Sequence, residues 1–269
     1  MSSRNQKLCN AAVEGDVDKL NNLLARGASA NYQDRDIRPT PLHHAAMKGN
    51  VQVADLLIKN KADVNATFYG ATPLHHAAIN GNMEITDTLI RNKANVNAST
   101  ESGDTPLHMA IKHDELKTAE CLIRHGAKCS ATNRKGKTPL HLLEDKCRNS
   151  IWYSKMEQGD SPLHQAASND QDNVVQVLVS LGAKLSVKNE RGDSPLHQVA
   201  SQGKCNMVKT LASLGANLSA INDEGETPLH QAAKHGRMNT VEHLVRFGAN
   251  ISATNNKVRI PHIQTQCFL

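Results

Sequence analysis

Residues 103–133 read GDTPLHMAIKHDELKTAECLIRHGAKCSATN, and this text recurs along the chain. Residues 225–255 read GETPLHQAAKHGRMNTVEHLVRFGANISATN, with the same T-P-L-H phrase, a central alanine and a late Gly-Ala pair. The phrase, written T/S-P-L-H, returns at intervals of 32, 33, 33, 23, 33 and 33 residues. A nearly fixed period of this length indicates a stacked repeat array. The copies begin at Thr40, Thr72, Thr105, Thr138, Ser161, Ser194 and Thr227.

Each copy of the phrase predicts the start of a short helix. Thr and Ser are favoured N-caps, because the hydroxyl accepts a hydrogen bond from a free amide of the first turn. Proline at the next position lacks only an N–H that would have had no partner. Leu42 and Ala45 share one helical face, and Gly49 ends the helix by allowing positive φ. A second apolar-periodic stretch follows, and a Gly-Ala pair ends it before an exposed turn.

These features strongly resemble the ankyrin repeat, a 33-residue unit that carries T-P-L-H-x-A. The resemblance covers nearly the whole chain and implies an all-α solenoid of helix–turn–helix units with exposed hairpin turns. Imperfect copies near Lys7 and Ile260 are interpreted as an N-terminal cap repeat and a truncated C-terminal half-repeat. The resemblance also implies that the phrase histidine hydrogen-bonds between neighbouring repeats, as a structural residue. These histidines are His43, His75, His108, His141, His164, His197 and His230.

Residues 142–160 interrupt the period, because Thr138 and Ser161 are only 23 residues apart. The first helix of this repeat is retained, but its full second helix and Gly-Ala turn are missing. The sequence SIWYSKMEQ stands in their place and contains the only tryptophan, Trp152. Trp152 either fills the gap with Ile151 and Met156 or, with Tyr153, contacts a partner.

The interruption predicts a hinge or kink between two partly independent stacks. The N-terminal stack would cover residues 1–147, a shortened bridge residues 148–160, and the C-terminal stack residues 161–269. The alternative is a neutral deletion without a mechanical role.

Charge and composition indicate a mixed, solvated surface. The net charge is +5, and no long run of one sign occurs. Nucleic-acid binding is therefore a disfavoured alternative. Six cysteines are scattered without a C-x-x-C pair, and the N-terminus has no apolar signal region. We expect a soluble, monomeric protein that does not insert into a membrane. We expect it in the cytoplasm, with the nucleus as a second compartment. The basic residues that would support nucleic-acid binding are Lys128, Arg134, Lys135, Lys137, Lys146, Arg148 and Lys155.

Catalytic and metal-binding motifs are missing from the sequence. There is no G-x-S-x-G, P-loop or G-x-G-x-x-G segment. The pair His43–His44 suggests a metal site, but adjacent residues on a helix point about 100° apart and cannot chelate one ion as an i, i+4 pair does. We expect no enzymatic activity, no cofactor, no metal and no small-molecule substrate.

The resemblance places partner binding on the hairpin tips and on the inner face of the first helices, which together line a concave groove. Interface centres favour aromatic side chains, Met and Arg. The first stack offers such a mixed apolar and basic set, whereas the inner face of the C-terminal stack is a polar ladder of Gln, Ser and Asn. The predicted partner-binding residues are Tyr32, Arg35, Arg38, His44, Met47, Lys48, Phe68, Tyr69, His76, Ile79, Met109, Trp152 and Tyr153.

Two predictions for the turns remain open between a structural and a functional role. Phe68 and Tyr69 either pack against the preceding hairpin or anchor a partner. Asn65 and Asn97 resemble asparagines that intracellular asparaginyl hydroxylases modify in ankyrin hairpins, and the alternative is that their side chains stabilise the turn.

The resulting interpretation is a non-catalytic scaffold or adaptor that binds one or more proteins. The alternatives are a regulatory or targeting arm of a larger enzyme complex or membrane-associated assembly, and a secreted effector of an intracellular bacterium.

Overall fold

The threonine or serine of the repeated phrase sets where the first helix of a repeat begins. Thr40 has an extended backbone, and its hydroxyl accepts a hydrogen bond from the amide of His43 in a helix that begins at Pro41. The computed structural model describes residues 4–33, 39–148, 159–257, 259 and 261. In these ranges the chain forms 15 helices and no β-strand, apart from an isolated bridge between Phe68 and Ala71. The expected all-α repeat fold is confirmed.

The helices alternate between a first and a second helix of each repeat. The first helices are α1 (Arg4–Glu14), α3 (Pro41–Lys48), α5 (Pro73–Ile79), α7 (Pro106–Lys112), α9 (Pro139–Arg148), α10 (Pro162–Ser168), α12 (Pro195–Gln202) and α14 (Pro228–Lys234). The second helices are α2 (Val17–Ala25), α4 (Val51–Lys59), α6 (Met83–Arg91), α8 (Leu116–Arg124), α11 (Asp172–Ser180), α13 (Cys205–Ser213) and α15 (Met238–Arg246).

The chain divides into two compact units, Met1–Leu143 (unit 1) and Glu144–Leu269 (unit 2). In unit 1 the first helices α1, α3, α5 and α7 pack in chain order, and so do the second helices α2, α4, α6 and α8. In unit 2, α10, α12 and α14 pack in chain order and α13 packs on α15. The division between the units falls within α9. The stack boundaries at residues 147 and 160 stay a prediction.

The core of each unit is built from the same repeat positions. The leucine of the phrase is fully buried at Leu42, Leu74 and Leu107, where each contributes about 1.5–3 kcal/mol by leaving water, whereas Leu140 of the interrupted repeat is only half-buried. Small residues beside it, such as Ala45 and Ala77, are equally buried and let neighbouring helices approach closely. A helix pair cannot cover its own apolar face, so every repeat depends on its neighbours.

The interrupted repeat keeps its first helix, since α9 begins at Pro139 as expected. Residues 149–158 lie outside the described part of the chain, and with them Trp152 and Tyr153. Among the helices that are described, none has both the length and the apolar character needed to cross a bilayer.

Candidate functional site

The phrase histidines link each repeat to the next through hydrogen bonds. In His43, Nδ1 accepts a hydrogen bond from the backbone N–H of Thr40 (3.2 Å), and Nε2 donates to the carbonyl of Ala71 (3.1 Å). A carbonyl only accepts, so the ring is the neutral tautomer protonated at Nε2. The same donation, over 2.9–3.1 Å, joins His75 to Asp104, His108 to Lys137, His164 to Asp193, His197 to Glu226 and His230 to Arg259.

Burial favours the neutral form of four of these rings. Burial lowers the pKa of His43 and of His75 from 6.5 to about 4, although the carbonyl bond of each ring opposes part of this shift. Burial also lowers the pKa of His108 and of His197. A neutral ring that uses both nitrogens has no lone pair left for a metal ion or for proton transfer. In the described ranges, no three His, Cys, Asp or Glu side chains cluster closely enough to hold a metal ion.

His141 lies in a different environment from the other phrase histidines. Its Nδ1 accepts from the backbone N–H of Thr138 (3.2 Å), and its side chain is exposed. A bond from His141 to the next repeat stays a prediction. In the other six repeats the acceptor carbonyl lies 28 or 29 residues further on. The 23-residue interval of this repeat removes that spacing.

The inner face of unit 1 combines histidine and apolar side chains at equivalent repeat positions. His44, His76 and Met109 each follow a phrase histidine and are half-buried. The ring of His76 meets the ring of His43 edge to face, with centroids 5.6 Å apart. Burial lowers the pKa of His44 and of His76, and the charge of Lys48 lowers that of His44 further. Both rings are therefore polar, uncharged surfaces near neutral pH.

His76 holds a buried polar atom that lacks a hydrogen-bond partner among the described residues, its Nε2. An unpaired buried nitrogen costs free energy, because it has lost water without gaining a replacement. The other predicted inner-face residues lie on the same helices as His44 and His76. Met47 and Ile79 are half-buried, and Lys48 is exposed.

The aromatic residues of the turns have different environments. Phe68 is half-buried and lies edge to face on His43, with centroids 6.2 Å apart, and its backbone pairs with Ala71. Tyr69 is 63% exposed, and its φ of +49° lies in the left-handed region. Phe68 thus packs on a ring of the preceding first helix, and the largely exposed ring of Tyr69 lies 4.6 Å from that of Phe68 between centroids. Partner binding by these two residues stays a prediction.

Tyr32 lies near the inner face rather than at an isolated turn. With His44 and Pro39 it lines a cavity of about 200 Å³, whose other wall is formed by Cys9 and Val13 of α1. The structure thus brings Tyr32 and His44 together. The remaining predicted contact residues, Arg35, Arg38, Trp152 and Tyr153, lie outside the described residues.

The side chains at the equivalent inner positions of unit 2 are buried. Gln165, Gln198 and Gln231 are each only 8% exposed. Nε2 of Gln198 donates to Oδ2 of Asp160 (2.8 Å), and Nε2 of Gln231 donates to Oε2 of Glu226 (2.8 Å). These three glutamines of the polar ladder are therefore interior residues, whereas Ser168 and Ser201 are half-buried and Asn169 and Gln202 are exposed.

A network between an acidic residue and an asparagine was not anticipated from the sequence. The carboxylate of Asp104 accepts from Nδ2 of Asn133 (2.9 Å) and pairs with Lys112. Burial alone would raise the pKa of Asp104, but the bonds from Lys112, Asn133 and Ser102 hold it below its ordinary value of 3.8. A sequence signal existed: the phrase is preceded by an acidic residue in four copies, and asparagine lies 29 residues after each of them. Two further pairs are bonded in the same way, Asp160 with Asn189 and Asp193 with Asn222.

Asn65 and Asn97 each join two successive hairpins. Nδ2 of Asn65 donates to the carbonyl of Lys93 (3.2 Å), and its Oδ1 accepts from the amide of Asn95 (2.7 Å). Asn97 makes the same two bonds, to Gly126 (3.3 Å) and Lys128 (2.8 Å). These contacts support the turn-stabilising alternative. Hydroxylation stays a prediction, which mass spectra of peptides from hydroxylase-treated protein would check.

Comparison with known proteins gives one broad match and several short ones. A family model described as "Ankyrin repeats (3 copies)" matches residues 8–100, 89–153 and 163–255. Over 59 residues the chain is 42% identical to serine/threonine-protein kinase 12 of Arabidopsis thaliana, covering 22% of this chain and 13% of the kinase. Over 57 residues it is 40% identical to potassium channel AKT1 of Oryza sativa subsp. indica, covering 21% of this chain and 6% of the channel. The chain thus spans only a small part of these relatives.

Proposed function

Because the chain belongs to the ankyrin-repeat family, we propose that it is a non-catalytic scaffold or adaptor that binds a protein partner through unit 1. The proposed contact surface consists of the inner faces of α3, α5 and α7 together with the turn that carries Tyr69. Regular helices hold this surface in place, so binding would cost little ordering entropy and its affinity would depend on a few anchor residues.

One observation carries the proposal: equivalent inner positions differ between the units. In unit 1, His44, His76 and Met109 are half-buried and present apolar or uncharged surface. In unit 2, the glutamines at these positions are buried and two of them bond to carboxylates of their own unit. Unit 1 therefore leaves these positions more exposed, although Oε1 of Gln198 in unit 2, like Nε2 of His76, has no hydrogen-bond partner among the described residues.

A capture experiment with two matched variants tests this assignment. The unit 1 variant carries Tyr69→Ser and Met109→Ser, which remove exposed aromatic and half-buried apolar surface. We expect it to lose partners that the native chain captures from lysate under cross-linking. A single well-packed anchor is worth about 2 kcal/mol or more, or roughly thirtyfold in affinity.

The control variant carries Ile221→Ser and Ile251→Ser, which remove two side chains of unit 2 that are 54% and 52% exposed. It removes comparable apolar surface while leaving unit 1 intact. Circular dichroism first establishes that both variants are folded. Partners lost from the control variant alone would move the interface to unit 2 and contradict the proposal.

A second candidate is a regulatory or targeting arm of an enzyme or channel assembly. It draws on the short similarities to a serine/threonine-protein kinase and to a potassium channel. A kinase or channel subunit among the captured proteins, held by the unit 1 surface, would favour this candidate over a general adaptor.

We also propose a cytoplasmic monomer that reaches the nucleus. Light scattering of the purified chain would measure its mass against the 29.2 kDa of one copy. Microscopy of a fluorescent fusion would show the compartment.

A further inference from the structure

Unit 1 carries a row of cationic side chains where its second helices end. Some are the last residue of a helix, and the others lie in the turn that follows. All are exposed. We call this row the cationic rim. It consists of Lys59, Lys61, Lys93, Arg124 and Lys128.

Hydrogen bonds between the turns hold the rim together. Asn65, in the turn after α4, donates from Nδ2 to the carbonyl of Lys93 after α6. Asn97, in the turn after α6, accepts at Oδ1 from the amide of Lys128 after α8. The second helices also pack as α4 on α6 and α6 on α8. Helices pack about 10 Å apart, so Lys61, Lys93 and Lys128 extend over roughly 20 Å.

The rim cations are not neutralised within the described residues of unit 1. No described carboxylate forms an ion pair with any of the five. The nearby carboxylate of Asp87 is used by Arg91 and faces His125 at 3.5 Å. Carboxylates lie within four residues of three of these cations, at Asp55, Asp63 and Glu120, but none is ion-paired with them, so the rim keeps a net positive charge.

Two rim lysines occupy a backbone conformation that favours glycine. Lys61 has φ +64° and Lys93 has φ +68°. Glycine holds the same place in other repeats, as at Gly126 (φ +85°) and Gly215 (φ +92°). A side chain at positive φ is disfavoured, so these lysines are kept at positions where folding would prefer glycine. A side chain that opposes local stability points to a role outside folding.

Apart from Arg246, unit 2 keeps only one of these cations at an equivalent place, Lys184, which corresponds to Lys128. The last residues of α11 and α13 are serines, and glycine follows two residues later at Gly182 and Gly215. Arg246 at the end of α15 is paired with Glu242. Stabilising a helix C-terminus thus does not by itself require the rim cations.

We propose that the cationic rim docks an acidic segment of the protein partner. Successive repeats place rim lysines about 10 Å apart. This spacing matches the distance between carboxylates that are about three residues apart on an extended chain. Duplex DNA also attracts lysine side chains through its phosphates, so a duplex is one of the probes that test the proposal. This inference rests on the proposed function and specifies the chemistry of the partner.

Fluorescence anisotropy with fluorescein-labelled oligoglutamate tests the rim without the natural partner. The variant Lys61→Glu, Lys93→Glu, Lys128→Glu should bind at least about tenfold more weakly than the native chain. The control variant Lys188→Glu, Lys209→Glu, Lys257→Glu makes the same charge change on exposed residues of unit 2 that lie outside rim positions, and it should keep native affinity. Equal weakening by both variants would show a general charge effect and overturn the inference.

A second variant distinguishes lost binding from misfolding of the charge-reversal variant. Lys61→Gly with Lys93→Gly removes two rim charges while relieving the backbone, so its Tm should be unchanged or higher while oligoglutamate binding weakens. Retained binding overturns the inference. So does tighter, rim-dependent binding of a DNA duplex or of phosphatidylserine vesicles, which would assign the rim to nucleic acid or to a membrane surface. The capture experiment uses other residues, so failure of the rim is distinguishable from failure of the proposed function.

Discussion

His43 shows how one residue type serves the repeat. Its ring ties the N-cap of its own helix to the carbonyl of Ala71 in the next repeat, and both bonds require the neutral form. Protonation at Nδ1 would place an N–H against the N–H of Thr40, in a buried site that also penalises charge. His43 and His75 therefore make the stability of the fold depend on pH.

Unit 1 should lose stability on mild acidification. The folded-state pKa of His43 and of His75 is about 4, below the ordinary 6.5, so the unfolded chain binds more protons between these values. Their full contribution is present above about pH 6.5 and falls as pH drops toward 4. By about pH 5 each ring contributes about 2 kcal/mol less. Urea denaturation at about pH 7.5 and pH 5 measures the difference.

The stability that is lost when His43 and His75 are protonated can be separated from the stability that is lost when carboxylates are protonated. Asp104 loses its contribution only as pH falls below its ordinary pKa of 3.8. The variant His43→Gln should show a shallower fall in stability between the two conditions. The same fall in the variant as in the native chain would contradict the assignment to this ring.

Lys61 and Lys93 should limit the stability of unit 1. Replacing either by glycine relieves a residue at positive φ, and we expect a gain of about 0.5–1 kcal/mol each. The reverse test is Gly126→Ala, where a Cβ would meet no atom within 4 Å, so only the backbone at φ +85° opposes it. That variant should lose about 1 kcal/mol. The midpoints of urea unfolding measure the stability of the glycine variants and of Gly126→Ala. A Lys61→Gly protein that is less stable than the native chain would contradict the strain assigned to Lys61.

At the scale of the helix, the N-cap residue and the phrase histidine are joined by reciprocal hydrogen bonds. In α7, the hydroxyl of Thr105 accepts from the amide of His108, and Nδ1 of His108 accepts from the amide of Thr105. Pro106 fixes the first helical residue between them. A helix of seven residues is too short to be stable alone, so these reciprocal bonds and the packing of neighbours must support it.

Removing the hydroxyl of Thr105 should weaken α7. Thr105→Ala deletes the cap to the amide of His108 in a buried site, and we expect a loss of about 1–2 kcal/mol in unfolding free energy. Thr105→Ser keeps the hydroxyl and should retain most of the stability. Chemical denaturation followed by circular dichroism compares the three proteins, and equal losses in the two variants would assign the effect to the lost methyl group instead.

The sequence predicts elements better than it predicts surfaces. Helix starts were correctly placed because Thr-Pro acts within one turn, where local geometry decides the outcome. The environments of Phe68 and Tyr69 were not separable, since adjacent residues differ only after the chain folds against His43. The burial of Gln198 depended on Asp160, 38 residues away, and no local pattern reports such a contact.

At the scale of the whole molecule, two compact units predict two unfolding events. Stability in a repeat array is a sum of repeats and of nearest-neighbour interfaces, so one weak interface divides the array. The repeat that begins at Thr138 is ten residues shorter than the 33-residue unit and lacks the length for a full second helix. The division between units falls within α9 of that same repeat.

Paired core variants test whether the units unfold independently. Leu74→Ala in unit 1 and Leu229→Ala in unit 2 each empty a fully buried site at the same repeat position, with an expected cost of about 2–5 kcal/mol. We expect urea unfolding in two steps, with each variant lowering the midpoint of one step and leaving the other unchanged. Circular dichroism reports both steps, and hydrogen exchange assigns each step to its unit. A single transition that both variants shift equally would mean that coupling persists through the shortened repeat, because independent units have no means of sharing the loss.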